Sequence, residues 1–313
     1  MKAVMYHYVR DGNADLPHFV YLHVDDFEAQ LDHFQEHYHI LGRAELLDAI
    51  QSSTPVPNGI VLTFDDGLSD HYDHVFPALR KRKLWGIFYV PTLPYHSKRL
   101  LDVHRTHYLL GKVGGQAVLS AIRDMLADDD LLPDCDKRYA TRTYQKQENE
   151  AATQEVKRLI NYYIKPARRT SLLDKAMNIF CEDEQALACE YYLSQHEILE
   201  MIDAGMGIGC HSHSHTLLSN LTREEQKEEI MLSKNIIKTM TRGNQLDSFC
   251  FPYGGSHSYN GATLSILRAE GFKFSFSVDS RDITARDLSQ FIFELPRYDC
   301  NEFLHGKATK GVK

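Results

Sequence analysis

The stretch IVLTFDDGLSD, residues 60–70, begins as a strand and stops at two adjacent carboxylates and a glycine. Ile60, Val61, Leu62 and Phe64 are apolar, and such a run suits a strand covered on both faces, as in a parallel sheet. Asp65 and Asp66 follow directly. Neighbouring side chains at a strand end point in different directions, so the two acids are placed to do different jobs.

Outward from this stretch, short apolar runs alternate with amphipathic ones. KAVMY (2–6), GIFYV (86–90), MGIGC (206–210), SFCF (248–251), FKFSFSV (272–278) and FIFEL (291–295) read as further strands. Between the first two, DDFEAQLDHFQEHY sets Phe27, Leu31, Phe34 and Tyr38 on one helical face. YDHVFPALRKR reads as a helix, and LTREEQKEEIMLSKNIIKTM opens with a capping box, Thr222 and Glu225, and aligns Leu232, Ile236 and Met240. About seven buried strands with intervening helices predict a parallel sheet, open or closed into a barrel. In either case reacting groups gather at the carboxyl ends of the strands, where TFDDG sits.

Residues 93–195 break this rhythm. They are mostly polar and helical in pattern, include ADDD and LLPDCDKRY, and read as a long helical insertion at one edge of a single domain spanning 1–313. VHRTH, with His104 and His107, lies in that insertion and reads as structural or substrate-contacting. The tail HGKATKGVK reads as frayed.

Composition narrows the function. A net charge of −8 lacks the basic footprint of a nucleic-acid binder. No run approaches the ~18 apolar residues of a membrane span. The opening MKAVMYHYVRDGNADLP has no apolar core suited to a signal peptide, and the six cysteines form no CxxC pair, so free thiols in a reducing cytoplasm are expected. The seventeen histidines are the compositional oddity.

Three of them form HSHSH (211–215) directly after the MGIGC strand. Two imidazoles, His211 and His215, with one carboxylate, Asp65 or Asp66, make the three-ligand open site typical of catalytic zinc. Singly, HSHSH and FDDG also suit solvated turns. Both at strand ends of one α/β chain point to a centre. A third strand ends in FPYGG, where Pro252 to Gly255 form either a plain turn or a rigid loop that aims a backbone N–H at a reacting oxygen.

TFDDG, HSHSH and FPYG, in that order, resemble the first three motifs of the polysaccharide deacetylases, the NodB-homology or carbohydrate esterase 4 family. YYLSQHEILEMIDAGMGIGC is similar to the family's run into its second motif. The resemblance covers roughly residues 1–95 and 190–300 and implies a distorted (β/α)7 barrel of the NodB type with a helical insertion. It implies Asp66, His211 and His215 as metal ligands, Asp65 as general base and the backbone N–H of Tyr253 as oxyanion donor. The implied cofactor is a divalent metal, zinc by the donor set, with cobalt, nickel or manganese compatible. The implied partner is an N-acetylated sugar; the expected cytoplasmic location points to a nucleotide-linked or lipid-linked precursor for surface-polysaccharide biosynthesis.

The family's general acid is a histidine from a C-terminal motif, for which FLHGK offers His305. His7, at the end of the first strand, fits better, since some members resemble a circular permutation with that strand moved to the front. The family's third motif carries an arginine three residues before its tyrosine, and here that position is Cys250; Arg297, after the last expected strand, is proposed to reach Asp65 or the substrate. The family's fourth motif carries Asp and Trp, against which SVDSRDI offers Asp279 and Asp282, while the single tryptophan is Trp85. Three activities follow: N-deacetylation of an amino sugar, hydrolysis of another amide such as a formamido sugar or cyclic ureide, or a non-catalytic carbohydrate-binding barrel.

Overall fold

The computed structural model describes residues 1–52, 56–132 and 149–311. Cys135 and most of LLPDCDKRY lie outside them. The chain gathers into two compact units: Met1–Arg10 with Tyr21–Lys98 and Cys189–Ala308, and Asp11–Val20 with Arg99–Ala188 and Thr309–Lys313.

The first unit is built on a seven-stranded parallel sheet. Its strands are β1 (Lys2–Tyr6), β2 (Ile60–Phe64), β3 (Ile87–Val90), β4 (Gly207–Cys210), β5 (Ser248–Cys250), β6 (Phe274–Phe276) and β7 (Tyr298–Asp299). The spatial order is β6-β5-β4-β3-β2-β1-β7. All five residues of β2 are buried, as two-sided coverage requires. Phe64, Phe88, Phe249, Phe274 and Phe276 fill the core they share.

The sheet curls until its ends nearly meet. Leu295 bridges in parallel to Phe276 of β6, and Ser275 and Ser277 exchange backbone hydrogen bonds with residues 292–295. Three and four residues later, Tyr298 and Asp299 pair with Val4 and Met5 of β1. One run, 292–299, thus spans both edges, giving a distorted (β/α) barrel. FIFEL itself is not a strand. Phe291 caps a short helix, Glu294 is held in a turn, and only Leu295 pairs, so the closing strand falls at Tyr298–Asp299 instead.

Helices connect the strands on the outside. They are α1 (Val24–His37), α2 (Arg43–Ser52), α3 (Phe76–Arg82), α4 (Gln195–Asp203), α5 (Arg223–Met240), α6 (Gly261–Ala269) and α7 (Ala285–Gln290). α1 buries Phe27, Leu31 and Phe34 as its periodicity predicts, with Gln30 added. α5 has the expected capping box, but its buried stripe is Gln226, Ile230, Ser233, Ile237 and Met240. Leu232 and Ile236 flank that stripe half-exposed, because buried polar residues complete the face that apolar spacing alone had misplaced.

The second unit is helical, with Asp102–Met125 kinked at Gly114, Ala151–Arg158 and Pro166–Phe180. Arg105 is buried there against Glu184, which accepts from its Nε at 2.6 Å, and against Asp102 and Asp174. The tail is less frayed than expected: Thr309–Lys310 is a short strand, and Gly311 donates to the Phe19 carbonyl at 3.0 Å. The five described cysteines are free. No helix among the described residues is long and apolar enough to cross a membrane.

Gly209 in β4 faces Tyr89 and Ser248; a Cβ there would lie 2.5 Å from the Tyr89 ring. Gly209→Ala is expected to lower stability by about 1–3 kcal/mol through overpacking. The readout is a lower urea midpoint at unchanged denaturant slope.

Candidate active site

The three motif loops leave the carboxyl ends of β2, β4 and β5 and meet over one end of the barrel. Each contains residues with positive φ: Asp66 (80°) and Gly67 (60°), Ser212 (59°) and His215 (55°), Tyr253 (63°) and Gly254 (67°). Four of the eight non-glycine residues in this region, among those described, lie on these loops. Each such residue carries strain of roughly 1–3 kcal/mol, which persists only where the surroundings over-determine it.

At Asp66 the turn out of β2 swings the second acid toward β4. Its Oδ1 lies 3.2 Å from Nε2 of His211 and 3.3 Å from Nε2 of His215. All three side chains are buried, and their ligand atoms converge within 4.8 Å. His211 donates its Nδ1–H to the Cys250 carbonyl at 2.9 Å, which orients the ring and leaves Nε2 as the atom that faces Asp66. The His215 ring stacks obliquely on Tyr253, 5.1 Å between centroids. This donor set fits a divalent cation: two imidazoles and a carboxylate face one point, with one imidazole already oriented by a carbonyl.

Asp65 turns the other way, into the barrel, where Arg297 holds it. Arg297 is fully buried, and its Nη1 and Nη2 donate to the two Asp65 oxygens at 2.8 and 2.7 Å. Nη1 also donates to Thr63 Oγ1, Nε to the Ser277 carbonyl, and Nη2 to Cys250 Sγ at 2.9 Å. Burial by itself would raise the Asp65 carboxyl, but the Arg297 charge and hydrogen bonds outweigh it and bring it down to about 2. Burial likewise opposes the Arg297 charge, and Asp65 reverses that effect and raises it. A second group, Asp65, His211 and Cys250, also converges. Its carboxylate is already committed to the guanidinium and its thiol is pushed up by burial, so it is a poor cation site.

His7 follows β1 immediately, and Asp65 N donates to the Tyr6 carbonyl next to it. The His7 charge is near enough to help lower Asp65. His305 lies elsewhere: it is exposed, its ring 6.5 Å from His33 on α1. Asp282 is also displaced, bonding Lys2 at the amino end of β1 and the Tyr298 hydroxyl, so it belongs to the opposite end of the barrel. Asp279 pairs with Arg281, and Trp85 donates to the Gly205 carbonyl away from the motif loops. His104 is buried within the second unit. His213 hydrogen-bonds Thr92 Oγ1.

Several supporting residues were not read from sequence. Glu229 on α5 accepts from the His213 and Ser214 amides and the Ser214 hydroxyl, pinning the HSHSH turn. Arg10 donates to both oxygens of Asp70 at 2.8 and 2.7 Å and lies over the rings of Tyr8 and Tyr191, whose hydroxyls meet at 2.9 Å. The Asp66 charge contributes to raising Tyr8, after burial and Tyr191, so this polar wall stands near Asp66. Buried His71 donates Nε2–H to the His7 carbonyl at 3.0 Å. The signal for Arg10 and Asp70 was their position just beyond β1 and β2; nothing in the sequence marked Glu229. A cleft of about 640 Å³ lies beside the Tyr253 loop, lined by Tyr259, Asp279, Arg281, Arg286, Phe291 and Glu294. It adjoins that loop through Val278, whose N–H donates to the Gly254 carbonyl.

The family model for polysaccharide deacetylase matches residues 173–275, which include HSHSH and FPYGG but not TFDDG. Solved structures share the fold over nearly the whole chain. A Streptococcus pyogenes deacetylase, PplD, in complex with acetate, superposes with a TM-score of 0.56 at 17% identity, covering 96% of this chain and 91% of its own. A de-N-acetylase from Aggregatibacter actinomycetemcomitans gives 0.54 at 12% identity, covering 95% and 93%. The BpsB deacetylase domain of Bordetella bronchiseptica gives 0.51 at 14%, covering 96% and 95%. No curated protein sequence matches the chain. The fold is therefore the NodB-type barrel of these deacetylases, and the likeness to the polysaccharide deacetylases holds both in the matched segment and in the architecture.

Arg297→Met removes the partner of a buried carboxylate and is expected to lower stability by about 3–5 kcal/mol. Asp65→Asn/Arg297→Met should recover much of that loss, because no unpaired charge is left inside. Chemical denaturation of the four proteins of this double-mutant cycle measures the coupling.

Proposed function

We propose that this chain is a metal-dependent hydrolase that removes the N-acetyl group from an amino sugar of a glycan or glycan precursor. One observation carries the reading. A buried Asp66/His211/His215 donor set stands beside a second carboxylate, Asp65, which is kept ionised by Arg297 and is not part of that set. A binding module has no evident use for the second acid. A hydrolase needs it to receive a proton.

Asp66, His211 and His215 would hold the cation; zinc suits them, and cobalt, nickel or manganese are compatible. A carboxylate held near 2 is too weak a base for ordinary water, so the reading requires the acidified water and polarised carbonyl that a bound cation supplies. Asp65 accepts the proton as water attacks the amide carbon. The Tyr253 N–H, on its strained turn, donates to the oxygen where charge develops. His7, beside Asp65, hands a proton to the departing amine, and acetate and the free amino sugar result. Arg297 holds Asp65 in its ionised form and fixes its direction.

The polar cleft beside the Tyr253 loop is lined by none of the proposed catalytic residues, but its charged side chains and the rings of Tyr259 and Phe291 suit a more distant part of a saccharide, which presents hydroxyls and an apolar ring face. The helical second unit is taken as an elaboration of one catalytic domain. Free cysteines suit a reducing compartment and therefore a cytoplasmic precursor glycan as substrate.

Acetate release from N-acetylated oligosaccharides, by protein stripped of metal and then reloaded, tests the reading. Turnover should depend on the metal. Asp65→Asn should bind metal as wild type does and release acetate about 10²–10⁴-fold more slowly. His211→Ala should lose turnover and the metal bound at the barrel mouth. Full turnover in Asp65→Asn, or in the stripped protein, would refute the assignment.

A further inference from the structure

Among the histidines that the barrel mouth leaves unused, two stand four residues apart on α1. This spacing puts His33 and His37 on one face of the helix. Their ring centroids are 4.3 Å apart, against 4.9 Å for His211 and His215, which have the same sequence spacing. His37 donates its Nδ1–H to the His33 carbonyl at 2.9 Å, which leaves the Nε2 lone pair available. Glu36 lies 3.9 Å from the same ring and adds negative charge.

A third imidazole arrives from the loop after β7. The His305 ring is 6.5 Å from that of His33, so the three imidazoles do not converge as placed, and a rotation of the His305 side chain is needed to bring it to a common ion. The loop's backbone is fixed in place. Gln30 donates to the carbonyls of Cys300 (3.1 Å) and Leu304 (2.8 Å), and accepts from the Tyr6 hydroxyl at 2.6 Å. Phe303 packs edge-on against Phe34, and Gly306 is so close to Cys300 that a Cβ would fall 1.7 Å from its carbonyl oxygen. His305 itself has φ of +64°.

We propose that His33, His37 and His305 form a second metal site, a surface clip for a divalent transition cation of the zinc, nickel or copper type. Imidazoles without carboxylate ligands favour these cations over magnesium or calcium. The clip ties α1 to the loop that follows the ring-closing run 292–299. Its occupancy therefore stabilises the closure that presents Arg297, and it takes no part in the chemistry at the mouth.

Equilibrium dialysis of the full chain against zinc tests this. Wild type is expected to bind two equivalents, and His33→Ala/His37→Ala one, with acetate release unchanged. His37 is exposed and His33 half-buried at the helix surface, and alanine is the best helix former, so this variant should fold normally. His211→Ala should still bind the equivalent on α1, which separates this proposal from the reading of the mouth. Zinc added beyond the first equivalent should raise the melting temperature of wild type and leave that of the double variant unmoved. His305→Ala should weaken the second equivalent about tenfold. A single equivalent in wild type, or two in the double variant, would overturn the site; an unchanged affinity in His305→Ala would overturn the third ligand.

Discussion

The buried pair between Arg297 and Asp65 is the constraint on which the rest depends. Two charges are withdrawn from water, and such a pair persists only where the remaining donors and acceptors are satisfied. Here Thr63, the Ser277 carbonyl and Cys250 Sγ take the other guanidinium directions, with the faces of Tyr89 and Phe276 at 6.0 and 5.6 Å. Arg297 lies between the residue that pairs with β6 and the residues that pair with β1. Closing the ring and charging the site are thus one event: the segment that completes the barrel also delivers the arginine. Cys250, small and uncharged, leaves room for it where the resemblance led one to expect a resident arginine.

The same pair separates the two acids. With Asp65 drawn inward, Asp66 can reach His211 and His215 only by leaving the strand at positive φ. The strain recurs at Ser212, His215 and Tyr253, and each loop carries its own restraint. Glu229 grips the histidine turn, the Cys250 carbonyl orients His211, and His71 holds the segment that presents His7. Neighbouring carboxylates in sequence therefore become two environments: one open to a cation, the other sealed against a guanidinium.

Much of this was legible in the chain, and the remainder was hidden for definite reasons. β1 and β2 were plain because both are continuous apolar runs, and the residues after them read as mouth residues because barrel strands end there. The pairing of the closing run was not, since FIFEL is as apolar as a strand but is consumed by a helix cap and a turn, while the actual strand, Tyr298–Asp299, is half-buried and too short to show a pattern. The α5 face was misjudged because Gln226 and Ser233 are buried, and hydropathy alone passes over buried polar groups. His305 had a motif-like setting yet lies beside α1. Asp282 likewise satisfies a sequence pattern while bonding Lys2 at the far end of the barrel. The Arg297–Asp65 contact spans 232 positions, and only its placement after a strand hinted at it.

The most direct measurement is anomalous diffraction from crystals of the protein soaked in zinc. The account predicts a peak at the barrel mouth about 2.0–2.2 Å from Asp66, His211 and His215, with Asp65 still paired to Arg297 and outside the coordination sphere. A peak ligated by Asp65 or Cys250, or no peak at the mouth in zinc-saturated crystals, would contradict the division of labour between the two acids.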